Sequence, residues 1–341
     1  MAEKVTAIDV AERAGVSRSA VSRFFTPGAS VSAKTAEKVR AAALALGYRP
    51  NVLARSLITG RSRIVGLVVA YLENYFYPQA LEKLSNALQA EGYHVLIFMA
   101  SQTPGNIDQV VEEILDYQVD GIIAASVALS SDLATRCRAA GVPIVLFNRG
   151  QDIEGVASVV SDNLGGGREV ARFLVAGGHE RIGYIAGWES ASTQRDREAG
   201  FRAGLKDAGR DLFAREVGDF AVEQARDAAR VMFDRTAEQR PDAVFVANDH
   251  MAFTVMDVLR FELGLSVPED VSVVGYDDVP PAAWPAYALT TVRQRTNLMV
   301  EHTVRVLLGQ LDDPDANTAP VVIPGPLIRR RSARLPEGRR S

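Results

Sequence analysis

A single cysteine, Cys137, in 341 residues can pair with nothing inside the chain. That excludes a disulfide-stapled extracellular scaffold and agrees with a reducing compartment. Cys137 falls mid-helix in an apolar-polar pattern, where a packing role is sufficient. The four histidines, His94, His179, His250 and His302, show no metal-ligand spacing, so no metal centre is expected. There is no G-x-S-x-G elbow, and the run Gly165-Gly166-Gly167 fits neither a dinucleotide fingerprint nor a phosphate loop with its Lys-Ser/Thr. A Ser/His/Asp set can be assembled from any chain this long, and no spacing singles one out. No apolar run approaches the ~20 residues that span a bilayer, and Met1-Ala2-Glu3-Lys4 opens without the apolar core of an export signal. The expectation is therefore no enzyme, no cofactor, no metal, no membrane, and a cytoplasmic location.

What the chain does have is charge divided by position. Through Arg63 there are eleven Lys/Arg and four Asp/Glu, a balance of +7, while the whole chain is −4 and the remainder therefore −11. The basic segment is punctuated for helices. Thr6 and Asp9 have the spacing of an N-cap and its N3 partner, Ile8, Val10, Ala11 and Ala14 offer an apolar face, and Gly15 stops the helix. After the turn Gly15-Val16, Ser17 caps a second helix that turns Val21 and Phe24 inward and leaves Arg18, Ser19, Ser22 and Arg23 outward. Ser32 caps a third, stopped by Gly47, whose Val39, Ala42, Ala43 and Leu46 cover the first two. This is helix-turn-helix spacing. A small bundle that is basic only on its solvated faces is the bland alternative; charge, turn spacing and caps together favour a head that binds phosphate.

The same residues carry a resemblance to the lactose-repressor (LacI/GalR) family of bacterial transcription factors. The shared positions are Asp9-Val10-Ala11, Ala14-Gly15-Val16-Ser17, Val21-Ser22-Arg23, then Leu46-Gly47-Tyr48-Arg49-Pro50-Asn51, Ala54-Arg55, Leu57 and Thr59-Gly60. Ala20 stands where the family has Thr, and Phe24-Phe25-Thr26-Pro27-Gly28 departs from the family's turn before the third helix. The resemblance implies that the second helix enters the major groove. Arg18 and Ser19 would then read bases, Arg23 would meet a base or a phosphate, and Thr6, Ser17 and Ser22 would position the backbone. A solvated helix arginine remains the alternative for Arg18. Residues 50–60 would be a hinge, too short to be helical alone, that folds on DNA with its twin. Asn51 belongs to this stretch, Ala54 would take the close-packed position and Leu57 would wedge into the minor groove. An ordinary flexible linker is the alternative.

Beyond residue 61, apolar strands alternate with helices: strands over 64–70, 94–99, 121–125, 142–147, 159–161, 181–186, 243–247 and 271–276, helices over 78–91 and 107–117. Runs this apolar indicate parallel sheets covered on both faces, and roughly 270 residues suit two α/β lobes with a cleft rather than one sheet. Ligands bind such sheets beyond the strands' carboxyl ends. The body resembles the family's periplasmic-binding-protein-like effector domain at Ser161-Asp162-Asn163, at 178–182 and 197–201, at Gly218-Asp219-Phe220, at Ala247-Asn248-Asp249, at 272–278 and at Leu289-Thr290-Thr291-Val292. By that resemblance Phe76, Asn148, Arg197, Phe220, Asn248 and Asp277 are the effector-site candidates. A neutral polyol or sugar suits Asn248 and Asp277 as hydrogen-bond partners, Arg197 as charge-assisted donor, and Phe76 or Phe220 as apolar platform. Two blander roles stay open: Asp277 and Asp278 as caps of the next turn, and Phe220 as core. Tyr77-Pro78-Gln79 and Arg295-Thr296 depart from the family pattern near this pocket.

These readings add up to an α/β chain with a three-helix headpiece (1–49), a hinge (50–60), a two-lobed effector-binding and dimerisation domain (61–333) and a basic tail (334–341). The expected function is that of a transcriptional repressor, bound as a homodimer to a pseudo-palindromic operator and controlled by a small carbohydrate effector, in a nucleoid-associated cytoplasmic setting. The family's tetramers use an apolar heptad tail; 333–341 is polar and basic, so a dimer is expected. A transporter's solute-binding component would share the body without the head, and a sugar-processing α/β enzyme is the third option, separated by turnover of whatever ligand binds.

Overall fold

Short polar side chains begin each of the first three helices, and left-handed glycines end the first and the third. The computed structural model describes residues 5–26, 29–49, 61–70, 72–100, 106–127, 129–151, 153–313, 315–316 and 318–336, and it divides into two units, Met1–Arg63 and Ile64–Ser341. In the first unit, helix α1 (Ala7–Ala14) begins at a reciprocal cap. The Asp9 carboxylate accepts the Thr6 N–H at 2.7 Å, and Thr6 Oγ1 accepts the Asp9 N–H at 3.4 Å. Gly15 ends it at φ +64°, a left-handed turn that a side chain would strain. Ser17 caps α2 (Arg18–Phe24) and Ser32 caps α3 (Ala33–Leu46), which Gly47 closes in the same left-handed way.

Val10, Ala11, Ala14, Val21, Val39, Ala42 and Ala43 form the small core. Ile8, expected on this apolar face, is half exposed. Two residues before Val10 is about 200° around a helix, outside the stripe that faces α3. Phe24 and Phe25 meet edge to face with centroids 4.8 Å apart, and Phe25 continues to Tyr48 at 5.6 Å. The departure from the family turn thus supplies aromatic cover to a core built largely of alanine and valine.

The second unit has two sheets. In the first lobe β1 (Ile64–Val69), β2 (His94–Met99), β3 (Gly121–Ala125), β4 (Ile144–Phe147), β5 (Ala157–Ser161) and the late strand β11 (Val321–Ile323) run parallel in the order β11-β5-β4-β3-β1-β2. In the second lobe β6 (Ile182–Ala186), β7 (Ala214–Val217), β8 (Ala243–Val246), β9 (Ser272–Asp277) and β10 (Thr290–Arg293) run parallel, with the two-residue β12 (Leu327–Ile328) antiparallel on the edge beside β10. The inner strands β1, β3, β4, β6, β8 and β9 are almost wholly buried, because helices cover both faces.

The helices of this unit are α4 (Phe76–Ala90), α5 (Asn106–Asp116), α6 (Ser131–Ala139), α7 (Asn163–Ala176), α8 (Ser192–Asp207), α9 (Val222–Phe233), α10 (Asp249–Asp257) and α11 (Thr296–Asp312). The chain passes between the lobes after β5, after β10 and between β11 and β12. On the second passage α11 returns to pack on β3, β4 and β5. The strands β7, β10, β11 and β12 were not anticipated: β11 and β12 are three and two residues long, and β7 reads Ala-Arg-Glu-Val, with two charges.

The glycine run 165–167 has a packing reason. A Cβ on Gly167 would lie 2.2 Å from the Arg197 carbonyl oxygen, and one on Gly200 would lie 2.0 Å from that of Leu164. Helices α7 and α8 therefore cross backbone to backbone, which only glycine on both sides permits. This contact sets where Arg197 stands.

Candidate functional site

In the headpiece, Val21 pins α2 to the core while Arg18, Ser19, Ser22 and Arg23 stand exposed on its other side. Spacings of one, four and five residues put these four on one helix face. Ser17 Oγ accepts the Ala20 N–H at 3.2 Å and lies 2.9 Å from Ser19 Oγ. Arg23 Nε reaches back to the Ser19 carbonyl at 3.4 Å, and the Arg18 guanidinium extends from the first turn, where the helix N-terminus adds positive potential. Thr6 is exposed, its hydroxyl donating to Asp9 at 2.8 Å. Asn51, Ala54 and Leu57 lie outside the described residues.

In the second unit the carboxyl ends of the two sheets enclose a narrow cleft. Its walls are Asn74, Phe76 and Tyr77 after β1, Asn148 and Arg149 after β4, Thr193 and Arg197 on α8, Phe220 after β7, and Asp277 ending β9. Five of the six expected residues are gathered there. Asn248 is not among them. It stands two residues beyond β8, where its Oδ1 accepts the Met251 N–H at 2.9 Å and so caps α10. Two larger hollows among the described residues, one between α4 and α11 and one lined in part by Gln151, Ser192 and Arg195, contain none of the six.

Arg197 is the hub of the second-lobe wall. Buried to 2 % exposure, it donates from Nε to Asn163 Oδ1 at 2.9 Å, from Nη1 to the Ala247 carbonyl at 2.6 Å and from Nη2 to Asp277 Oδ1 at 3.4 Å. Its flat face lies 3.7 Å from the centroid of Tyr276. Asp277 also accepts from Gln294 Nε2 at 2.7 Å, so its carboxylate is engaged by side chains of the cleft floor rather than by the following turn. Burial pushes the Asp277 carboxyl up to about 6 despite the opposing pull of Arg197 and Gln294. Asp249, behind it, is pushed up by burial first and then by the Asp277 charge, and it accepts from Thr291 Oγ1 at 2.6 Å and the Val279 N–H at 3.0 Å. Asp278 takes a different course, bridging Arg293 and Arg330.

On the first-lobe wall Asn74 Oδ1 accepts the N–H groups of Phe76 and Tyr77 at 3.0 and 3.1 Å, which turns both rings toward the cleft. Phe76 stacks on Phe147 at 6.3 Å, and Asn148 Nδ2 donates to the Tyr77 hydroxyl at 2.8 Å. Asn148 sits at φ +71° and Phe220 at φ +57°. A left-handed phenylalanine is uncommon, and here its ring fills the space above Gly187, where a Cβ would fall 2.2 Å away. Phe220 therefore serves in the core and in the cleft wall at once.

Asn74, Arg149 and Thr193 line the wall but were not among the six candidates, and Tyr77 was expected only near the pocket. Arg149 had a signal, since it follows Asn148 directly past the apolar β4. Thr193 had none, standing at the start of a helix that reaches the cleft only through the α7–α8 crossing. Among the described residues no group of three His, Cys, Asp or Glu is arranged to hold a metal, and no helix is long and apolar enough to cross a membrane.

A family profile described as "Bacterial regulatory proteins, lacI family" matches residues 6–51, and one described as "Periplasmic binding protein-like domain" matches 171–333. The HTH-type transcriptional regulator CelR of Thermobifida fusca is 34% identical over 332 residues, covering 95% of this chain and 96% of that protein. Among solved structures, the lac repressor dimer bound to operator and the anti-inducer ONPF superposes with a TM-score of 0.87 at 31% identity, over 97% of this chain and 99% of that one. The complex of the transcriptional regulator CelR with cellobiose superposes at 0.72 and 32% identity, over 97% and 100%.

Proposed function

Since the chain belongs to the LacI family of bacterial regulatory proteins, we infer that it is a DNA-binding transcriptional repressor, not an enzyme, whose hold on its operator is set by a small molecule. The observation that carries this reading is α2: a short helix pinned by Val21 that offers Arg18, Ser19, Ser22 and Arg23 together to a major groove. Arg18 and Ser19 read base edges, Arg23 meets a base or a phosphate, and Thr6, Ser17 and Ser22 hold the phosphate backbone. Asn51, Ala54 and Leu57 belong to a hinge over 50–60 that joins a headpiece over 1–49 to an effector and dimerisation domain over 61–333, with a basic tail beyond.

The effector is a carbohydrate or carbohydrate derivative held in the cleft by Phe76, Asn148, Arg197, Phe220 and Asp277. The CelR structure with cellobiose is consistent with that class. The protein works as a homodimer in the bacterial cytoplasm, on a two-fold operator; the exposed Ile97 and Met99 along the edge strand β2 offer apolar surface for a second copy. Selection of bound fragments from a randomised DNA pool at near-physiological salt tests the reading. A recovered palindrome is expected. No enrichment, with or without added sugars, would overturn it.

A further inference from the structure

Resting on the reading of this cleft as the effector site, we propose that the effector is an anion: a sugar or polyol carrying a carboxylate or phosphate that binds Arg149. Arg149 is 6 % exposed and lines the cleft. Its Nε and Nη1 meet no hydrogen-bond acceptor among the described residues. One flat face lies 5.1 Å from the Trp188 ring, a contact that orients a guanidinium without neutralising it. Among the described residues the groups that act on it electrostatically are the Tyr77 hydroxyl, neutral at ordinary pH, and Arg197, a charge of the same sign.

The two guanidiniums of the cleft thus differ in kind. Arg197 spends its donors on Asn163, Ala247 and Asp277, and its charge is matched by the Asp277 carboxylate. Arg149 has Nε and Nη1 open and no carboxylate paired with it among the described residues, so the described wall of the cleft carries one cation more than it balances. Buried guanidiniums are ordinarily paired, because desolvating an unpaired charge is costly. Burial in fact pushes the Arg149 pKa down, and the Arg197 charge adds to that. An oxyanion arriving from solution supplies the missing acceptor and the missing charge together. The rest of the wall is made for hydroxyls: Asn148 Oδ1 has no partner among the described residues and stands beside Arg149, while Asp277 accepts across the cleft. Phe76 and Phe220 flank an apolar ring face.

The test uses the full chain, unfolded thermally at fixed ionic strength in the presence of D-gluconate, D-glucuronate or D-glucose 6-phosphate, each compared with neutral D-glucitol or D-glucose. At least one anion is expected to raise the midpoint where its neutral counterpart does not, and the carboxylate and phosphate arms say which oxyanion is meant. In Arg149→Gln that increment disappears; in Arg149→Lys part of it remains. The ligand-free midpoint of Arg149→Gln is expected to be no lower than that of the parent, because Nε and Nη1 make no hydrogen bond among the described residues and the buried charge is removed. Equal stabilisation by neutral and anionic sugars, no anion-specific increment, or an increment surviving in Arg149→Gln would each overturn the proposal. Selection on randomised DNA, run alongside, separates the two readings. Failure there with the anion increment intact removes the repressor alone, whereas a recovered operator with no anion increment removes the anion alone.

Discussion

Asp277 shows how far one side chain's environment controls its chemistry. Its carboxyl ionises at about 6 in the fold instead of 3.8, because burial outweighs Arg197 and Gln294. The folded protein therefore holds a proton that the unfolded chain has released between those two values. Stability drawn from the neutral carboxyl is complete below about 3.8 and is lost as pH climbs through 6. Asp277→Asn cannot lose it. Whatever its constant offset, the variant's stability relative to the parent is expected to grow by on the order of 2–3 kcal/mol over that window, read from denaturant unfolding at stepped pH; a flat difference would show that the carboxyl ionises normally. Arg18 is the corresponding residue of the headpiece. Arg18→Ala is expected to weaken operator binding by about 1–3 kcal/mol and relax preference at one base position in each half-site, whereas an equal loss on random DNA would make Arg18 a phosphate contact.

At the scale of elements, the crossing of α7 and α8 matters most to the cleft. Gly200 meets the Leu164 carbonyl where a Cβ would be, and Arg197 lies one turn before it on the same helix. Gly200→Ala is expected to cost at least about 1–3 kcal/mol by forcing the helices apart, and to weaken effector binding through Arg197 as well. Gly309→Ala, in α11, where a Cβ meets nothing within 4 Å, is expected to be neutral or to gain up to about 1 kcal/mol from helix propensity. Thermal unfolding of the pair checks the contrast. If both variants behave alike, the crossing is looser than the structure has it.

For the whole molecule, the expectation of a dimer rests on two-fold operator recognition and on the apolar edge of β2, and light scattering is expected to give a mass near two chains. A mass near four would overturn it. Repressor and effector reading must also agree quantitatively, because the factor by which effector changes operator affinity equals the factor by which operator changes effector affinity.

Much of this was legible in the residues, and what was legible was local. Thr6, Ser17 and Ser32 cap because their hydroxyls satisfy N–H groups only three residues away, and the inner strands announce themselves because burial on both faces demands an unbroken apolar run. Ile8 was misplaced because a short apolar list does not say which stripe the third helix will cover. The short edge strands β11 and β12 escaped because their pairing comes from neighbours far away in sequence. The cleft divides the same way. Strand ends marked Asn148 and Asp277 in advance and the family resemblance marked Phe220, but that Asn248 would turn back to cap α10, and that Arg149 would be buried with no carboxylate beside it among the described residues, was decided only in three dimensions. Sequence alone determined the helical head, its charge and the alternation of strand and helix, since those depend on each residue and its near neighbours. Tertiary structure decided which polar groups find partners, because the cleft is assembled from chain segments over a hundred residues apart whose meeting depends on three passages between the lobes and on glycines that let two helices touch.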